Sequence, residues 1–388
     1  MKSKYTNLDL LRSIAVFSVV SSHMWYTCVE YHVYAANPLL SQFLHSFSIV
    51  GVTFFFVHTC LVLMLSMHRA PDAHRARSFL IRRAFRIYPL CWAAILLALA
   101  TGLTDLPESN LHALEWRGIL ANLLLIQNLL RGRGVPSVIG PLWSLPWEVQ
   151  MYLVLPIFFI VLRRFERVGT VFAIWFGSAL LAVVGSQPWA HHLEWTTFPP
   201  LFIAGMVAYR LLIWQSKLGQ RFALPAWLWP GFVLSLFVVA PLLIGGSEMD
   251  TPAAAIIKSC NCFLLGIAIP FFRELTAGWI VGAAQQIAKY SYGIYLLHVP
   301  AILFCFRFFP GLPPIPKIVL SLAATALVSF LSFHIIEDPL IRVGKRITRP
   351  VDPDRTNAGV TPPDQRARVA TGVLVRDLNE AEVPNIEA

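Results

Sequence analysis

Charge is what this chain lacks. Only 13% of its 388 residues are Asp, Glu, Lys or Arg, about half the roughly 25% of an ordinary soluble domain. So few ionic groups cannot cover a water-facing surface of that size, which excludes a soluble globular enzyme. Cysteine is scarce as well. The six (Cys28, Cys60, Cys91, Cys260, Cys262 and Cys305) lie mostly within apolar blocks, with one isolated Cys-x-Cys at Cys260 and Cys262. That spacing supports neither a disulfide framework nor a metal-ligand set, so no metal site is expected. Acidic residues are outnumbered, 21 against 31 Lys and Arg, for a net charge of +10. In a membrane protein such an excess reflects cytoplasmic loops, and no nucleic-acid partner is expected. Internal repeats and a second folded domain are also absent from the pattern.

What is present is hydrophobicity in long blocks, 56% of the chain. Spans are expected near 8–27, 46–67, 87–103, 147–162, 168–187, 198–214, 228–246, 253–272, 290–309 and 315–336. Each approaches the ~20 residues that cross a ~30 Å hydrocarbon core. The apolar stretch 117–130 is too short and reads as interfacial or re-entrant. The first block has no small-residue cleavage site and carries Arg12 and His23, so it is expected to stay as a span. The expected fold is all-α: a polytopic membrane protein of about ten transmembrane helices over 1–346, followed by a disordered cytoplasmic tail, 347–388, rich in Pro, Asp, Arg and Asn.

Charge placement orients the chain. Lys2 and Lys4 precede the first block, and Arg69, Arg75, Arg77, Arg82, Arg83 and Arg86 follow the second. Arg163, Arg164 and Arg167, then Arg210, Lys217 and Arg221, then Arg273 and Lys289, then Arg342, Lys345 and Arg346 continue the alternation. The opposite loops are poor in Lys and Arg, with Arg117, Arg131, Arg133, Arg307 and Lys317 as exceptions. The positive-inside rule then places both termini in the cytoplasm, which an even number of spans satisfies.

Ionisable side chains in hydrocarbon cost roughly 2.5–3.5 kcal/mol each and mark function by default. Arg12 and His23 share the first span; eleven positions make almost three turns, so they face one way about 16 Å apart. Arg12 reads as a functional cation or a snorkelling anchor, His23 as a functional base or a satisfied interfacial histidine. Arg82 and Arg86 share a helix face at i, i+4, with Arg83 alongside. Their guanidinium forks suit the phosphates of a nucleotide-like donor, although cytoplasmic loops are arginine-rich in any case. Glu148 and Gln150 are expected at the outer entry of the fourth span, where a carboxylate also caps the helix dipole. His298 in the ninth span and His58 in the second are further buried histidines, whereas His191 and His192 fall in an outer loop.

Six motifs occur in order: Leu8-Asp9-Leu10-Leu11-Arg12 with His23 downstream; Gly51 to Val57; Arg82-Arg83-Ala84-Phe85-Arg86-Ile87-Tyr88-Pro89; Trp143-Ser144-Leu145 with Glu148, Gln150 and Tyr152; Ser291 to His298, including Tyr295; and Glu337-Asp338-Pro339. Together they resemble the acyltransferase-3 family of bacterial membrane O-acyltransferases, over roughly residues 6–346. The chain departs from that family at His58-Thr59-Cys60, where Leu-Ser-Gly is common, and at Glu148-Val149, where paired acids are common.

The resemblance implies transfer of an acyl group, usually acetyl, from cytoplasmic acyl-CoA to a hydroxyl of a glycan or glycolipid beyond the bacterial inner membrane. Such a reaction would O-acetylate a polysaccharide or lipopolysaccharide. Acyl-CoA is then a donor substrate, and no permanently bound cofactor is expected. His23 is the expected general base, Arg12 is expected to orient the donor, and Glu148 or His298 to orient His23 or the acceptor. Arg82, Arg83 and Arg86 hold the donor, and Asp9, Trp143, Ser144, Gln150, Tyr152, Tyr295 and His298 support the site. A secondary transporter or lipid-linked sugar flippase is the competing reading, because buried Arg, His and Glu also line transport paths.

Overall fold

The structure, a computed structural model, describes residues 5–69, 75–104, 115–133, 135–217, 223–245, 251–276 and 278–349. The expected tail lies outside the described residues from 350 on. The described chain is helical: α1 Thr6–Glu30, α2 Pro38–Arg69, α3 Arg75–Thr101, α4 Trp116–Leu124, α5 Leu145–Arg164, α6 Val168–Gly185, α7 Pro199–Lys217, α8 Leu228–Ile244, α9 Pro252–Ala268, α10 Trp279–Phe308, α11 Pro314–Ser332 and α12 Asp338–Ile347. Among the described residues the β pairing is one isolated bridge between Leu224 and Phe272.

Eight helical stretches are long and apolar enough to cross a membrane. They contain α2, α3, α5, α6, α7, α9, α10 and α11. The other two expected spans fall on α1 and α8. At 25 residues, α1 is about 37 Å long, more than a hydrocarbon core, and polar side chains such as Asp9 and Arg12 lower its apolarity. It packs between α2 and α10, where those polar groups meet protein instead of lipid. The 17 residues of α8 lie at the short end of the spanning range, ~17–25.

The expected re-entrant stretch contains the nine-residue α4, which stops at Leu125 in a left-handed conformation (φ 56°, ψ 46°). Its C-terminal carbonyls take side-chain donors from α3: Trp92 Nε1 donates to Leu123 O (2.9 Å) and Tyr88 Oη to Leu124 O (3.3 Å). Asn122 ties the returning strand down, donating to Pro136 O (3.0 Å) and accepting from Val138 N (3.0 Å). Backbone outside a helix persists at such depth because protein supplies the missing partners.

Two exceptions to the charge pattern find local partners. Arg307 donates to the carbonyls of Gly102 (2.5 Å) and Thr104 (3.4 Å) and to Tyr31 Oη (3.1 Å), capping the end of α3. Lys317 is buried, donates to Pro310 O (2.9 Å) and lies over the Phe306 ring.

Helix α1 is fixed by a distant segment. The Asn7 amide donates to Glu274 Oε2 (2.9 Å), and Thr6 Oγ1 donates to the same oxygen (3.1 Å). Asn7 Nδ2 donates to Arg273 O (3.0 Å), Asn7 Oδ1 accepts from Leu275 N (3.2 Å), and Trp229 Nε1 donates to Asn7 O (3.0 Å). Glu274 therefore caps α1 in place of a local residue, since Tyr5 at the N-cap position makes no side-chain cap bond. Burial pushes the Glu274 carboxyl above its ordinary range, and the bonds from Asn7 and Thr6 oppose that shift.

Close approach of α7 to α2 depends on Gly205. A Cβ there would meet Val57 O, Cys60 Cβ (2.7 Å) and Leu61 N (3.0 Å), mostly rigid backbone. Small residues at such crossings replace the hydrophobic drive that lipid removes.

Two predictions follow from these contacts. Glu274→Ala strips the cap from α1 and lowers stability by about 1–3 kcal/mol, whereas Glu274→Gln, which keeps an acceptor oxygen, loses less; thermal unfolding in detergent separates them. Gly205→Ala, normally a gain in helix propensity, instead lowers the melting temperature through about 1–3 kcal/mol of overpacking. Gly177→Ala, facing open space, does not.

Candidate active site

A cavity of about 150 Å³ lies among α1, α2, α3, α5 and α10. Tyr5, Asp9 and Arg12, at i, i+4 and i+7, face it from α1, with Leu8 beside them. Helix α3 contributes Arg83, Arg86 and Ile87, and α5 contributes Leu145, Glu148 and Tyr152, with Ser144 just before it. The α10 wall is Ser291, Tyr292 and Tyr295, and α2 supplies an apolar wall around His58 and Thr59.

Three guanidinium groups converge here. Glu148, Asp9 and Glu337 act on Arg12 as counter-charges and Arg86 as a like charge. Tyr152 Oη donates to Glu148 Oε1, and Phe79 of α3 packs against the Tyr152 ring. Glu148 stands in the first turn of α5, as expected, and lines the same cavity as Arg83 and Arg86 of α3. Arg12 Nε and Arg83 Nε are buried N–H donors without a hydrogen-bond partner among the described residues. Arginine side chains gathered on one cavity favour an anionic ligand.

The arginine motif divides. Arg83 and Arg86 line the cavity; Arg82 does not, and its Nε donates to Ser78 O (3.1 Å). Two further expected residues are also turned elsewhere. Gln150 makes a reciprocal amide pair with Asn128 (2.9 and 3.2 Å), and Trp143 packs on Phe198. Ser144 and Tyr295 are joined at the end of the cavity, Oγ to Oη 2.6 Å.

Beyond Tyr295, one turn along α10, His298 meets His23 of α1 with ring centroids 4.8 Å apart at 73°. His23 Nδ1 lies 3.0 Å from Val19 O, and His298 Nδ1 lies 2.9 Å from Tyr295 O and 3.1 Å from Ile294 O. A carbonyl oxygen only accepts, so each Nδ1 carries a proton, and in the neutral ring Nε2 is the nitrogen with the free lone pair. His298 Nε2 is buried without a partner among the described residues. The helix spacing of Arg12 and His23 thus separates two ends of one region: arginines at the cavity, histidines just past its far wall.

Two residues without an expected site role, Tyr292 and Glu337, also belong here. Tyr292 lines the cavity and donates to Ile87 O (2.7 Å), linking α10 to α3. Glu337 ends a π-helical turn, Phe333–Glu337, that interrupts the run from α11 to α12. Its Oε1 lies 3.2 Å from where a Cβ on Gly293 would stand, so the carboxylate occupies a notch that a glycine opens in α10. Its place in the motif was the available signal; the extra residue of a π turn, which aims it, carries none.

The family described as Acyltransferase domain matches residues 5–334, ending just short of Glu337. Peptidoglycan O-acetyltransferase OatA of Listeria monocytogenes is 24% identical over 382 residues, covering 87% of this chain and 56% of that protein. Nodulation protein 10 of Rhizobium leguminosarum bv. viciae is 26% identical over 331 residues, 76% of this chain and 82% of that protein. Acyltransferase MdmB of Streptomyces mycarofaciens is 25% identical over 380 residues, 89% and 93% respectively. The chain spans about half the length of the peptidoglycan enzyme it matches. No solved structure matches. Because the family match covers the arginine cavity, both histidines and nearly all of the helical bundle, the chain belongs to the acyltransferase-3 family.

Proposed function

We propose that this chain is a membrane-bound O-acyltransferase that moves an acyl group, usually acetyl, from cytoplasmic acyl-CoA to a hydroxyl of a glycan or glycolipid across the bacterial inner membrane. The observation that carries the reading is the convergence of Arg12 and Arg83 on the cavity. They suit the phosphates of CoA, and Arg86 adds a third cation. The arginine end opens to the cytoplasm, in keeping with the basic loops beside it. The pantetheine arm then carries the thioester along the apolar wall of α2 toward Ser144 and Tyr295.

The acceptor hydroxyl approaches from the opposite side, where His23 stands. Its Nε2 takes the hydroxyl proton as the oxygen attacks the thioester carbon. Val19 O holds the ring in the tautomer this step needs. When the C–S bond breaks, the CoA thiolate leaves and the proton on His23 is returned to it. His298, edge-on to His23, keeps that ring in register. The names of the relatives, a peptidoglycan O-acetyltransferase among them, support a carbohydrate acceptor.

Consumption of radiolabelled acetyl-CoA by the detergent-purified protein, with glycan extracts as acceptors, tests this. His23→Ala lowers turnover about 10²–10⁴-fold while donor binding persists. Arg83→Ala raises the donor KM about tenfold or more, the size of a lost charged hydrogen bond. Arg82→Ala, outside the cavity, leaves it near wild type. A wild-type protein that neither binds nor consumes acetyl-CoA or longer acyl-CoAs ends the donor assignment and turns attention to transport in liposomes.

A further inference from the structure

We propose that the hydroxyls of Ser144 and Tyr295 form the oxyanion hole of this site, receiving the thioester carbonyl oxygen as it becomes negative. The inference rests on the acyl-transfer reading and gives a chemical role to two residues expected from sequence only to support the site. Both side chains are buried, at 5% and 8% exposure, and both line the cavity at the end away from Arg83 and Arg86. Tyr295 precedes His298 by one helical turn, with ring centroids 6.4 Å apart, and His298 in turn touches His23. The two hydroxyls therefore stand where a donor held by the arginines comes nearest to the histidines.

Their hydrogen bonding fits the role. Ser144 Oγ and Tyr295 Oη are 2.6 Å apart, and both reach Pro141 O, at 3.4 and 3.1 Å. Three oxygens share two protons: one lies between the hydroxyls and the other points at the Pro141 carbonyl. That second bond exchanges for one to the substrate oxygen by rotation about a C–O bond. With a neutral thioester the exchange gains little, because one carbonyl acceptor replaces another. With an oxyanion the new bond is charge-assisted and about twice as strong. The preference appears only as charge develops, which is the condition for lowering the barrier. Phe55, whose ring lies 5.9 Å from that of Tyr295, helps hold the phenol in place.

Three other hydroxyls at the cavity are committed. Tyr152 donates to Glu148, Tyr292 to Ile87 O (2.7 Å) and Ser291 to Ala288 O (2.8 Å). In the full step the acceptor oxygen bonds to the carbonyl carbon, its proton passes to His23 Nε2, and the carbonyl π electrons move onto the oxygen held by Ser144 and Tyr295. Collapse expels CoA thiolate, which takes the proton from His23. An ester and a free thiol result.

The test is steady-state kinetics of Tyr295→Phe, Ser144→Ala and the double variant with acetyl-CoA and a working acceptor, alongside binding of deacylated CoA. Each single change is expected to lower kcat about 10²–10³-fold, with donor KM and CoA binding within about threefold of wild type. The double variant falls little below the worse single one, because the hydroxyls act as a unit. Ser144→Thr, which restores a hydroxyl, recovers part of the rate. An active wild type whose Tyr295→Phe and Ser144→Ala forms keep kcat within about threefold overturns the proposal. So does a rise in donor KM at unchanged kcat. Should Tyr295→Phe fail to fold, Ser144→Ala against Ser144→Thr decides the matter alone. Absence of acetyl-CoA turnover in the wild type removes the acyl-transfer reading, and this inference with it.

Discussion

Hydrocarbon offers no hydrogen bonds, and that constraint shapes everything around α1. The helix carries Asp9, Arg12 and His23 through the bundle, and each needs a protein environment that water would otherwise supply. Placing α1 between α2 and α10 meets the need. Polar side chains of α10 and α3 face it, and Glu274 grips its first turn from far along the chain. The grip sets the height and rotation of α1, and through them the direction in which Arg12 and His23 point. Stability and chemistry are coupled at this helix because the same contacts serve both.

The bundle packs through small residues and serine or threonine bonds. On α11 a ladder runs from Ser321 to Lys317 O, Thr325 to Ser321 O and Ser329 to Thr325 O, each hydroxyl satisfied by its own helix at 2.7–2.9 Å. A polar stripe of this kind lets α10 and α11 approach closely without leaving an unpaired group in the interface. Close approach is needed there because the Glu337 carboxylate sits in the notch at Gly293.

Much of this was readable before any coordinates. The spans were visible because apolar runs of membrane length are a one-dimensional signal, and the shared face of Arg12 and His23 was visible because one helix links them. What escaped reading depended on the rotation or depth of one element against another. Arg82 and Arg86 share a face by spacing, yet α3 turns so that Arg83 and Arg86 meet the cavity. Glu148 was legible at the start of its helix, but nothing in its own segment records that it shares a cavity with Arg83 and Arg86. Trp143 and Gln150 belong to the same motif as Ser144 but serve packing, against Phe198 and Asn128. Glu274 gave no local sign at all, its partners being 267 and 268 positions away.

The bonds from His23 Nδ1 to Val19 O and from His298 Nδ1 to carbonyls of its own helix have a bearing on energetics at the level of the membrane. A proton that arrives at Nε2 has no onward route through the ring, because the opposite nitrogen ends on a backbone oxygen that leads nowhere. Entrance and exit are the same atom. On the proposed mechanism the imidazoles would lend and recover a proton without conducting one through the ring.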